Sequence, residues 1–465
     1  MRAAAAALAS LAGAALFAAL PAAAARHVVV ISIDGLRPAV YRDPASLEIR
    51  MPNLVELRDT GVSAARMLPV FPSVTYPAHT TLVTGARPAE HGIVSNFKSG
   101  QDWYLDSKDI AAQTLWAAAE AAGLTTALVT WPASYGAAVD FLVPEDLTFG
   151  ATDLAARLRA GSTPGLFDDL AAKCGPIELP GFEAPEAGAV LDRMTSCFAA
   201  ALIREERPNL LLVHFLDADH RQHFAGPDSP EARHAFELID GFVGELRAAA
   251  RDGGIEDETV FVIVGDHGFA PVHTNLNLAA LLLGAGFARI GESAGIELDP
   301  GIRVAALGGS AALYLDDPKD QALAQRLERS LQAEVDRRYG GLLQLLPRRE
   351  LDRLGAFPGA ALGFAASEGY MLVSLGRSEA ALPTGSLKGM HGYLPSMPAM
   401  ATGFIAAGRG LRRGVELPLV RQLDVAPTLA QLLGLALEHA AGLPIPGVFE
   451  TRAPGPGIGI AGERN

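Results

Sequence analysis

Cysteine is nearly absent from the sequence: Cys174 and Cys197 are the two among 465 residues. Two thiols cannot build a four-cysteine zinc framework, so any bound metal must use histidine and carboxylate ligands. In an oxidising compartment the two cysteines could form a disulfide that closes a loop of about 24 residues and contributes roughly 3 kcal/mol. Two buried thiols are the alternative that the sequence leaves open.

Basic residues are also in short supply. The chain has 38 Lys and Arg residues, only five of them lysine, against 52 Asp and Glu, which gives a net charge of −14. Proteins that bind a long nucleic acid neutralise its phosphates with basic side chains, so this balance argues against such a partner. A single phosphate group held at a metal ion remains compatible with the charge.

Long uncharged apolar segments are missing outside the first 25 residues. Residues 3–25 carry no charge, follow Arg2 and end in a run of alanines. A basic start, an apolar middle and a small-residue end are typical of a secretory signal peptide, so we predict one at 1–25 with cleavage near Ala25. A retained membrane anchor is the alternative. We therefore expect a periplasmic or secreted protein whose mature chain does not span a membrane.

The rest of the chain contains short apolar runs that are rich in Val, Ile and Leu. Three are strong, at 27–34, 209–219 and 259–268, and a weaker one lies at 125–132. Runs without polar alternation are typical of strands buried on both faces of a parallel sheet. Helical patterns at 52–61 and 109–123 lie between them. This alternation predicts an α/β fold, a mostly parallel central sheet flanked by helices.

A change of composition predicts an insertion in this fold. From 275 to 385 the sequence has Gly-rich loops and a charged amphipathic helix at 318–340. We predict a catalytic α/β domain formed by 26–274 and 386–440, with a cap-like subdomain at 275–385. Residues 441–465 are rich in Pro and Gly, which predicts an irregular C-terminal tail.

Acidic residues end the three strongest predicted strands: Asp34, then Asp217 and Asp219, then Asp266. In open α/β sheets, ligands bind beyond the carboxyl ends of the strands. A single Asp there is more simply a turn or cap residue. Acids delivered to the same edge by three strands instead predict a cation site.

Histidines accompany these acids. Asp219 and His223 are four residues apart, so on a helical turn they share one face and can bind one ion. His267 follows Asp266 directly, and His391 lies in the Gly-flanked segment KGMHGY. Carboxylate and imidazole ligands suit Zn²⁺, and these residues are numerous enough to hold two ions.

A candidate nucleophile lies in the segment FPSVTYPAHTTLVTG, at 71–85. Pro77 and Gly85 frame a short helix with Thr75 at its start. The backbone N–H groups of a helix N-terminus bind phosphate, and a metal ion could activate the Thr75 hydroxyl. A plain N-cap role for Thr75 is the alternative.

Together these segments resemble the nucleotide pyrophosphatase/phosphodiesterase family of the alkaline phosphatase superfamily. The motifs are IDGLR, the nucleophile segment above, EHGIVSN, D-x-x-x-H-x-x-G-P, GDHG and HGY, spread over about residues 27–435. The resemblance implies an alkaline-phosphatase-like fold and a hydrolase acting on phosphoric ester bonds. Its substrates would be nucleotides or related small-molecule phosphate esters, cleaved through a covalent phospho-threonine.

The resemblance also implies residue roles. Thr75 would be the nucleophile at two zinc ions, and the Asn96 side chain with the Thr75 backbone N–H would hold a phosphate oxygen. Tyr76 would stack on a nucleotide base, and the second wall of that slot falls on His214 where the family usually has Tyr. One zinc would be held by Asp219, His223 and His391, and the other by Asp34, Asp266 and His267.

Two other functions remain open at this point. A phosphomonoesterase of the same superfamily is the first, and a non-catalytic zinc-containing binding protein is the second. The binding protein is disfavoured because binding alone requires neither Thr75 nor Asn96. Sulfatase activity is disfavoured because the segment TYPAH at 75–79 has neither a Cys or Ser nucleophile nor the expected Arg.

Overall fold

A computed structural model describes residues 25–99, 102–148, 153–175, 177–180, 184, 186–292 and 294–450. The predicted signal peptide lies outside the described residues except for Ala25, and so does the predicted tail beyond residue 450. No helix within the described ranges is long and apolar enough to span a membrane.

The strands, numbered in chain order, are β1 (His27–Ile33), β2 (Val62–Ala64), β3 (Met67–Leu68), β4 (Phe97–Ser99), β5 (Asp102–Trp103), β6 (Thr126–Val129), β7 (Phe141–Val143), β8 (Leu210–Phe215), β9 (Thr259–Val264), β10 (Ala270–Asn277), β11 (Ala288–Ile290), β12 (Ile296–Leu298), β13 (Ile302–Leu307), β14 (Ser310–Leu315), β15 (Leu343–Pro347), β16 (Leu362–Ala366), β17 (Gly369–Val373), β18 (Ala381–Pro383), β19 (Gly389–Met390), β20 (Phe404–Gly408), β21 (Val415–Leu417) and β22 (Val420–Arg421).

The α-helices are α1 (Ala39–Arg42), α2 (Pro52–Thr60), α3 (Thr75–Thr84), α4 (Pro88–His91), α5 (Leu115–Ala121), α6 (Leu154–Gly161), α7 (Leu166–Cys174), α8 (Ala187–Glu205), α9 (Asp217–Ala225), α10 (Pro230–Asp252), α11 (Leu278–Gly284), α12 (Gln321–Arg338), α13 (Arg348–Leu354) and α14 (Val425–Leu433).

Within the described residues, the central sheet has eight strands in the order β21-β2-β20-β9-β1-β8-β6-β7. β20 is antiparallel to both of its neighbours, β2 and β9, and the remaining pairs in the sheet are parallel. The three strongest predicted strands are β1, β8 and β9, and they are adjacent, with β1 in the middle. The predicted mostly parallel sheet is therefore confirmed, and the predicted acids meet at one edge.

Both faces of the sheet are covered, which explains the unbroken apolar runs. Val29 and Ile31 of β1 pack on one face with helices that include α8 and α10. Val28 and Val30 pack on the other face with α3, α5 and α14. Because successive side chains of a strand point to opposite faces, a strand covered on both sides needs apolar residues at every position.

The region between β10 and β19 forms smaller sheets of its own. One has the order β13-β14-β16-β15 and another has β17-β10-β18. A separate apolar cluster fills this region, with Leu281, Leu313 and Phe364 among its buried members. The predicted charged helix at 318–340 is confirmed as α12. The predicted boundaries of the cap-like subdomain, 275 and 385, stay a prediction.

One predicted helix is shorter than its pattern. The segment 109–123 is helical only from Leu115, because the Thr114 side chain accepts the backbone N–H of Ala117 and caps α5 there. The preceding residues form a single 3₁₀ turn at Ser107–Asp109.

The two cysteines form a disulfide between the end of α7 and the middle of α8. Of the two alternatives that the sequence left open, the structure has the cross-link. It ties a peripheral helix to one that packs on the central sheet.

Candidate active site

The carboxyl ends of β1 and β9 deliver two carboxylates to one point. Asp34 follows β1 and donates its backbone N–H to Phe215 O at 2.9 Å, which continues the pairing with β8. The next residue, Gly35, donates its N–H to Asp266 Oδ1 at 3.0 Å. Gly35 has φ +68°, and a Cβ there would lie 2.6 Å from Gln222 Nε2. Glycine at this position therefore lets the chain turn and hold Asp266 beside Asp34.

A third carboxylate comes from the helix after β8. Asp219 and His223 lie one turn apart on α9, and His223 Nε2 is 3.4 Å from Asp219 Oδ2. His391, after β19, has its Nε2 3.7 Å from Asp219 Oδ1. The predicted sharing of one helical face by Asp219 and His223 is confirmed.

Three imidazole rings are oriented in the same way. The Nδ1 atoms of His223, His267 and His391 lie 3.1 to 3.2 Å from the backbone oxygens of Gly389, Gly268 and Ser73. Because a carbonyl oxygen only accepts, each Nδ1 carries the proton and donates. Each Nε2 is then a lone-pair donor facing the carboxylates, which is how metal-binding histidines are commonly held.

Three carboxylate oxygens of the site are buried without a hydrogen-bond partner in the described part of the chain: Asp34 Oδ1, Asp219 Oδ1 and Asp266 Oδ2. Burial raises the pKa of all three carboxyls, and neighbouring carboxylates add to the rise at Asp34 and Asp266. Burial lowers the pKa of His267 and His391. Buried charges need a compensating partner, and divalent cations would provide one here. These residues fit a metal centre.

The candidate ligands fall into two overlapping groups. Asp34, Asp266 and His267 have ligand atoms within 4.8 Å of one another, as do Asp219, His267 and His391. The first group coincides with one predicted ligand set, whereas in the second His267 stands where His223 was expected. The structure brings all six predicted ligands together, and their division between two ions stays a prediction.

Thr75 lies at the start of α3, beside this cluster. Its Oγ1 is 3.4 Å from His267 Nε2. The N-cap residue is Val74, and Thr75 is the first helical residue. The alternative in which Thr75 is a plain N-cap is therefore wrong, because the helix begins one residue earlier than that role requires.

The first turn of α3 has one backbone donor left for an anion within the described structure. The Tyr76 N–H donates to Asn96 Oδ1 at 3.0 Å, Pro77 has no N–H, and the Ala78 N–H donates to Val74 O. The N–H of Thr75 is thus the donor that a phosphate would meet. Since Asn96 uses its oxygen on Tyr76, its NH₂ group is the end that can donate to a substrate.

His79, one turn further along α3, holds the carbonyl of Thr75. Its Nδ1 donates to Thr75 O at 2.8 Å, so its Nε2 accepts the Ser32 hydroxyl, also at 2.8 Å. The ring is fully buried, and burial lowers its pKa. The nucleophile segment is therefore attached to β1 through a neutral histidine.

A cavity of about 430 Å³ opens above these residues. Thr75, Asn96, Asp34, Asp219, His223 and His391 form its polar floor. The rest of its wall is mostly apolar, and it includes His220 together with Phe97, Trp103, Leu147, Leu216, Phe224, Leu387 and Met390. No Lys or Arg is among the described residues that line it.

Tyr76 and His214 also border this cavity, but their rings offer almost no surface to it. Tyr76 is 0% exposed and His214 is 1% exposed. The Tyr76 ring packs against Trp103, with centroids 5.2 Å apart. Their roles as walls of a nucleotide slot stay predictions.

Glu145 lies between these two side chains and contacts both, and the sequence motifs did not predict it. Its Oε1 accepts the Tyr76 hydroxyl, and its Oε2 lies 2.8 Å from His214 Nδ1. Glu145 follows β7 as Asp34 follows β1, so the signal of an acid after a strand was present. The three residues of β7 are too few to be recognised as a strand from sequence.

Sequence comparison finds relatives that match about half of this chain. An uncharacterized pyrophosphatase/phosphodiesterase of Schizosaccharomyces pombe is 28% identical over 262 residues, which is 53% of this chain and 46% of the fungal protein. Ectonucleotide pyrophosphatase/phosphodiesterase family member 1 of Rattus norvegicus is 24% identical over 251 residues, 52% of this chain and 24% of the rat protein. The match thus spans less than half the length of either relative.

Solved structures of low sequence identity share the fold. Murine ectonucleotide pyrophosphatase/phosphodiesterase 5, an inactive variant in complex with AMP, superposes with a TM-score of 0.62 at 19% identity. The comparison covers 90% of this chain and 97% of that chain. The human protein gives 0.61 at 19% identity and the same coverage. The predicted alkaline-phosphatase-like fold is confirmed.

The family assignment follows from a match over most of the domain. Residues 28–393 fit the sequence profile described as type I phosphodiesterase / nucleotide pyrophosphatase. That range includes β1 with Asp34, the segment with Thr75, and His391. The chain belongs to the type I phosphodiesterase / nucleotide pyrophosphatase family, which is metal-dependent and part of the alkaline phosphatase superfamily.

Proposed function

We propose that this chain hydrolyses phosphodiester or pyrophosphate bonds in nucleotides or related organic phosphates, using Thr75 as the nucleophile. One observation carries the proposal: six candidate Asp and His ligands converge beside the Thr75 hydroxyl, and three of their carboxylate oxygens are buried without a hydrogen-bond partner among the described residues. A purely structural cluster of buried carboxylates would be hydrogen-bonded throughout. This one is arranged to hold cations next to a nucleophile.

Zn²⁺ is the ion that we propose, with two ions per chain. Three imidazoles presenting Nε2 and three carboxylates form the ligand mixture that zinc prefers. Zinc bound here would supply positive charge that polarises a phosphoryl group and favours ionisation of the Thr75 hydroxyl.

The chain's own groups define the covalent step. The Thr75 Oγ1–phosphorus bond forms as the bond from phosphorus to the leaving oxygen breaks, and the leaving group departs as an alcohol or a phosphate. The Thr75 N–H and the Asn96 NH₂ donate to a non-bridging oxygen as its negative charge grows. Water then cleaves the phospho-threonine, which releases the phosphate product and restores the hydroxyl.

The residues that line the cavity favour a phosphodiester substrate over a phosphomonoester. A monoester dianion carries one more negative charge than a diester, and the lining has no Lys or Arg among the described residues. Lys98 pairs with Asp109 at 2.6 Å, and Arg221 pairs with Asp217 at 3.1 Å. The apolar wall can instead receive a second organic substituent.

A substrate panel tests this proposal. We expect purified, zinc-loaded protein to show a higher kcat/KM for bis-p-nitrophenyl phosphate, or for a nucleotide p-nitrophenyl ester, than for p-nitrophenyl phosphate. A monoester preference of about tenfold, roughly 1.4 kcal/mol, would favour the phosphomonoesterase alternative. Two equivalents of zinc without turnover of any of these esters would favour the non-catalytic binding protein.

We also propose that the protein works outside the cytoplasm, in the periplasm or as a secreted enzyme. The Cys174–Cys197 disulfide supports this location, because such bonds persist in oxidising compartments and are rare in the cytosol. The names of the ectonucleotide relatives agree with it.

A further inference from the structure

Four buried side chains form a continuous line from the edge of the central sheet to the candidate metal centre. The Tyr76 hydroxyl donates to Glu145 Oε1 at 2.8 Å. Glu145 Oε2 lies 2.8 Å from His214 Nδ1, and His214 Nε2 lies 3.2 Å from Asp34 Oδ2. None of the four is more than 4% exposed.

The topology of the sheet explains how distant residues meet in this line. Glu145 follows β7, His214 lies near the end of β8, and Asp34 follows β1. Ser32 is paired with His214, so the histidine is next to the end of β1. The carboxyl ends of parallel strands thus place a carboxylate on each side of one imidazole ring.

The two oxygens of Asp34 have different surroundings. Oδ2 is occupied by His214, whereas Oδ1 has no hydrogen-bond partner among the described residues and lies 3.4 Å from His267 Nε2. The contact with His214 therefore fixes the carboxylate so that its other oxygen faces the candidate ligands.

The His214 ring is itself held from several sides. It makes an edge-to-face contact with the His79 ring, with centroids 4.4 Å apart, and the Thr130 hydroxyl donates to the His214 backbone oxygen. These contacts hold the residue in place. The rotation of the imidazole ring is fixed instead by the contacts of its two nitrogens with Glu145 and Asp34. Glu145 is the partner that fixes this rotation from the side away from Asp34.

We infer that Glu145 is a positioning residue for the metal centre, acting through His214 to hold Asp34 Oδ1 toward the cations. The inference rests on the proposed function, since it assumes that Asp34 is a ligand. Groups that orient metal ligands commonly change metal affinity about 10- to 100-fold when they are removed. Glu145 would then matter for zinc although it touches neither zinc nor substrate.

Zinc affinity is the direct test, because it does not depend on turnover. Zinc alone is titrated into chelator-stripped full-length protein against a competing chromophoric chelator, with circular dichroism to verify folding. We expect Glu145→Ala to weaken one of the two zinc equivalents about 10- to 100-fold. Asp146→Ala is the matched control, since the neighbouring Asp146 is equally buried but pairs with Arg157, and its zinc affinity should stay within about twofold.

A double-mutant cycle tests the route through His214. If Glu145 acts through that ring, Glu145→Ala should cost little further affinity in a His214→Ala background. Additive losses, or a folded Glu145→Ala variant that binds zinc like the parent, would overturn the inference while leaving the proposed function standing. If Glu145→Ala does not fold, His214→Ala decides alone, and parent-like zinc affinity there overturns the inference. A parent protein that binds no zinc defeats both proposals.

Discussion

The position of Thr75 depends on contacts made by its neighbours in the chain. His79 donates to the Thr75 carbonyl, and Asn96 accepts the N–H of Tyr76, so the hydroxyl and the N–H of Thr75 are left for the cavity that Thr75 lines. A threonine on an ordinary helix would instead donate its hydroxyl to a carbonyl one turn earlier, as Thr84 does to Thr80. The surroundings therefore distinguish the candidate nucleophile from the other threonines of α3.

Removing the Thr75 hydroxyl should abolish turnover without emptying the metal centre. In Thr75→Ala the six Asp and His ligands are unchanged, so zinc content measured by atomic emission should stay near two per chain. Activity on bis-p-nitrophenyl phosphate should be lost, whereas Thr84→Ala, which deletes a hydroxyl on the same helix, should keep it. An alanine variant as active as the parent would rule out Thr75 as the nucleophile.

The Asn96 amide should contribute mainly to the rate. Deleting a donor that stabilises developing negative charge costs about 10²- to 10³-fold in kcat. We expect that loss in Asn96→Ala, with zinc content unchanged and KM less affected than kcat. Ser95→Ala, which changes the residue just before Asn96, serves as the control and should keep the parental kcat. A fall in kcat of less than about tenfold would assign the oxyanion role to another group.

At the scale of elements, α9 is held where it begins by another helix. Asp192 on α8 accepts the backbone N–H of Leu216 at 2.8 Å and that of Asp217 at 3.0 Å. These are donors at the start of α9 that its own hydrogen bonds cannot satisfy. Because α9 carries Asp219 and His223, the contact between α8 and α9 determines where two candidate ligands lie.

Asp192→Ala should therefore affect both stability and metal binding. It leaves two buried N–H groups without an acceptor, so the free energy of unfolding should fall by about 2 to 6 kcal/mol, from about 1 to 3 per group. Zinc affinity should fall with it. Asp153→Ala removes a smaller, exposed cap from α6, where Asp153 accepts one backbone N–H, that of Ala156, at 2.8 Å. That control should lose stability in urea unfolding but keep parental zinc affinity.

At the scale of the whole molecule, the site is assembled from residues that are far apart in the chain. Its candidate ligands run from Asp34 to His391, and they meet because β1, β8 and β9 are neighbours in one sheet. The three carboxylates are buried, which raises the pKa of each, and neighbouring carboxylates add to the rise at Asp34 and Asp266. Bound cations would relieve this repulsion, so metal binding and folding should be coupled.

Metal removal should accordingly lower both activity and thermal stability. A ligand present at about 100 times its dissociation constant stabilises the folded state by about 2.7 kcal/mol. We expect dialysis against a chelator to abolish ester hydrolysis and lower the Tm, and added zinc to restore both. In Asp219→Ala, which lacks one ligand, zinc should raise the Tm less. Chelator-treated, metal-free protein with full activity would contradict the metal-dependent mechanism.

Much of the fold was determined by local sequence patterns. Uninterrupted apolar runs predicted β1, β8 and β9, because strands covered on both faces need apolar residues throughout. The four-residue spacing of Asp219 and His223 predicted their shared helical face. The family motifs, which name residue types at set spacings, predicted all six candidate ligands together with Thr75 and Asn96.

Only the tertiary structure decided which side chains touch across the sheet. Glu145 is far from Tyr76, His214 and Asp34 in sequence, and no periodicity links a carboxylate after β7 to an imidazole on β8. The burial of Tyr76 under Trp103, the disulfide between α7 and α8, and the contact of Asp192 with α9 are of the same kind. A local pattern reflects the surroundings of one helix or strand. These contacts depend instead on the order of the strands and on how the elements pack, and no short segment of the sequence determines either.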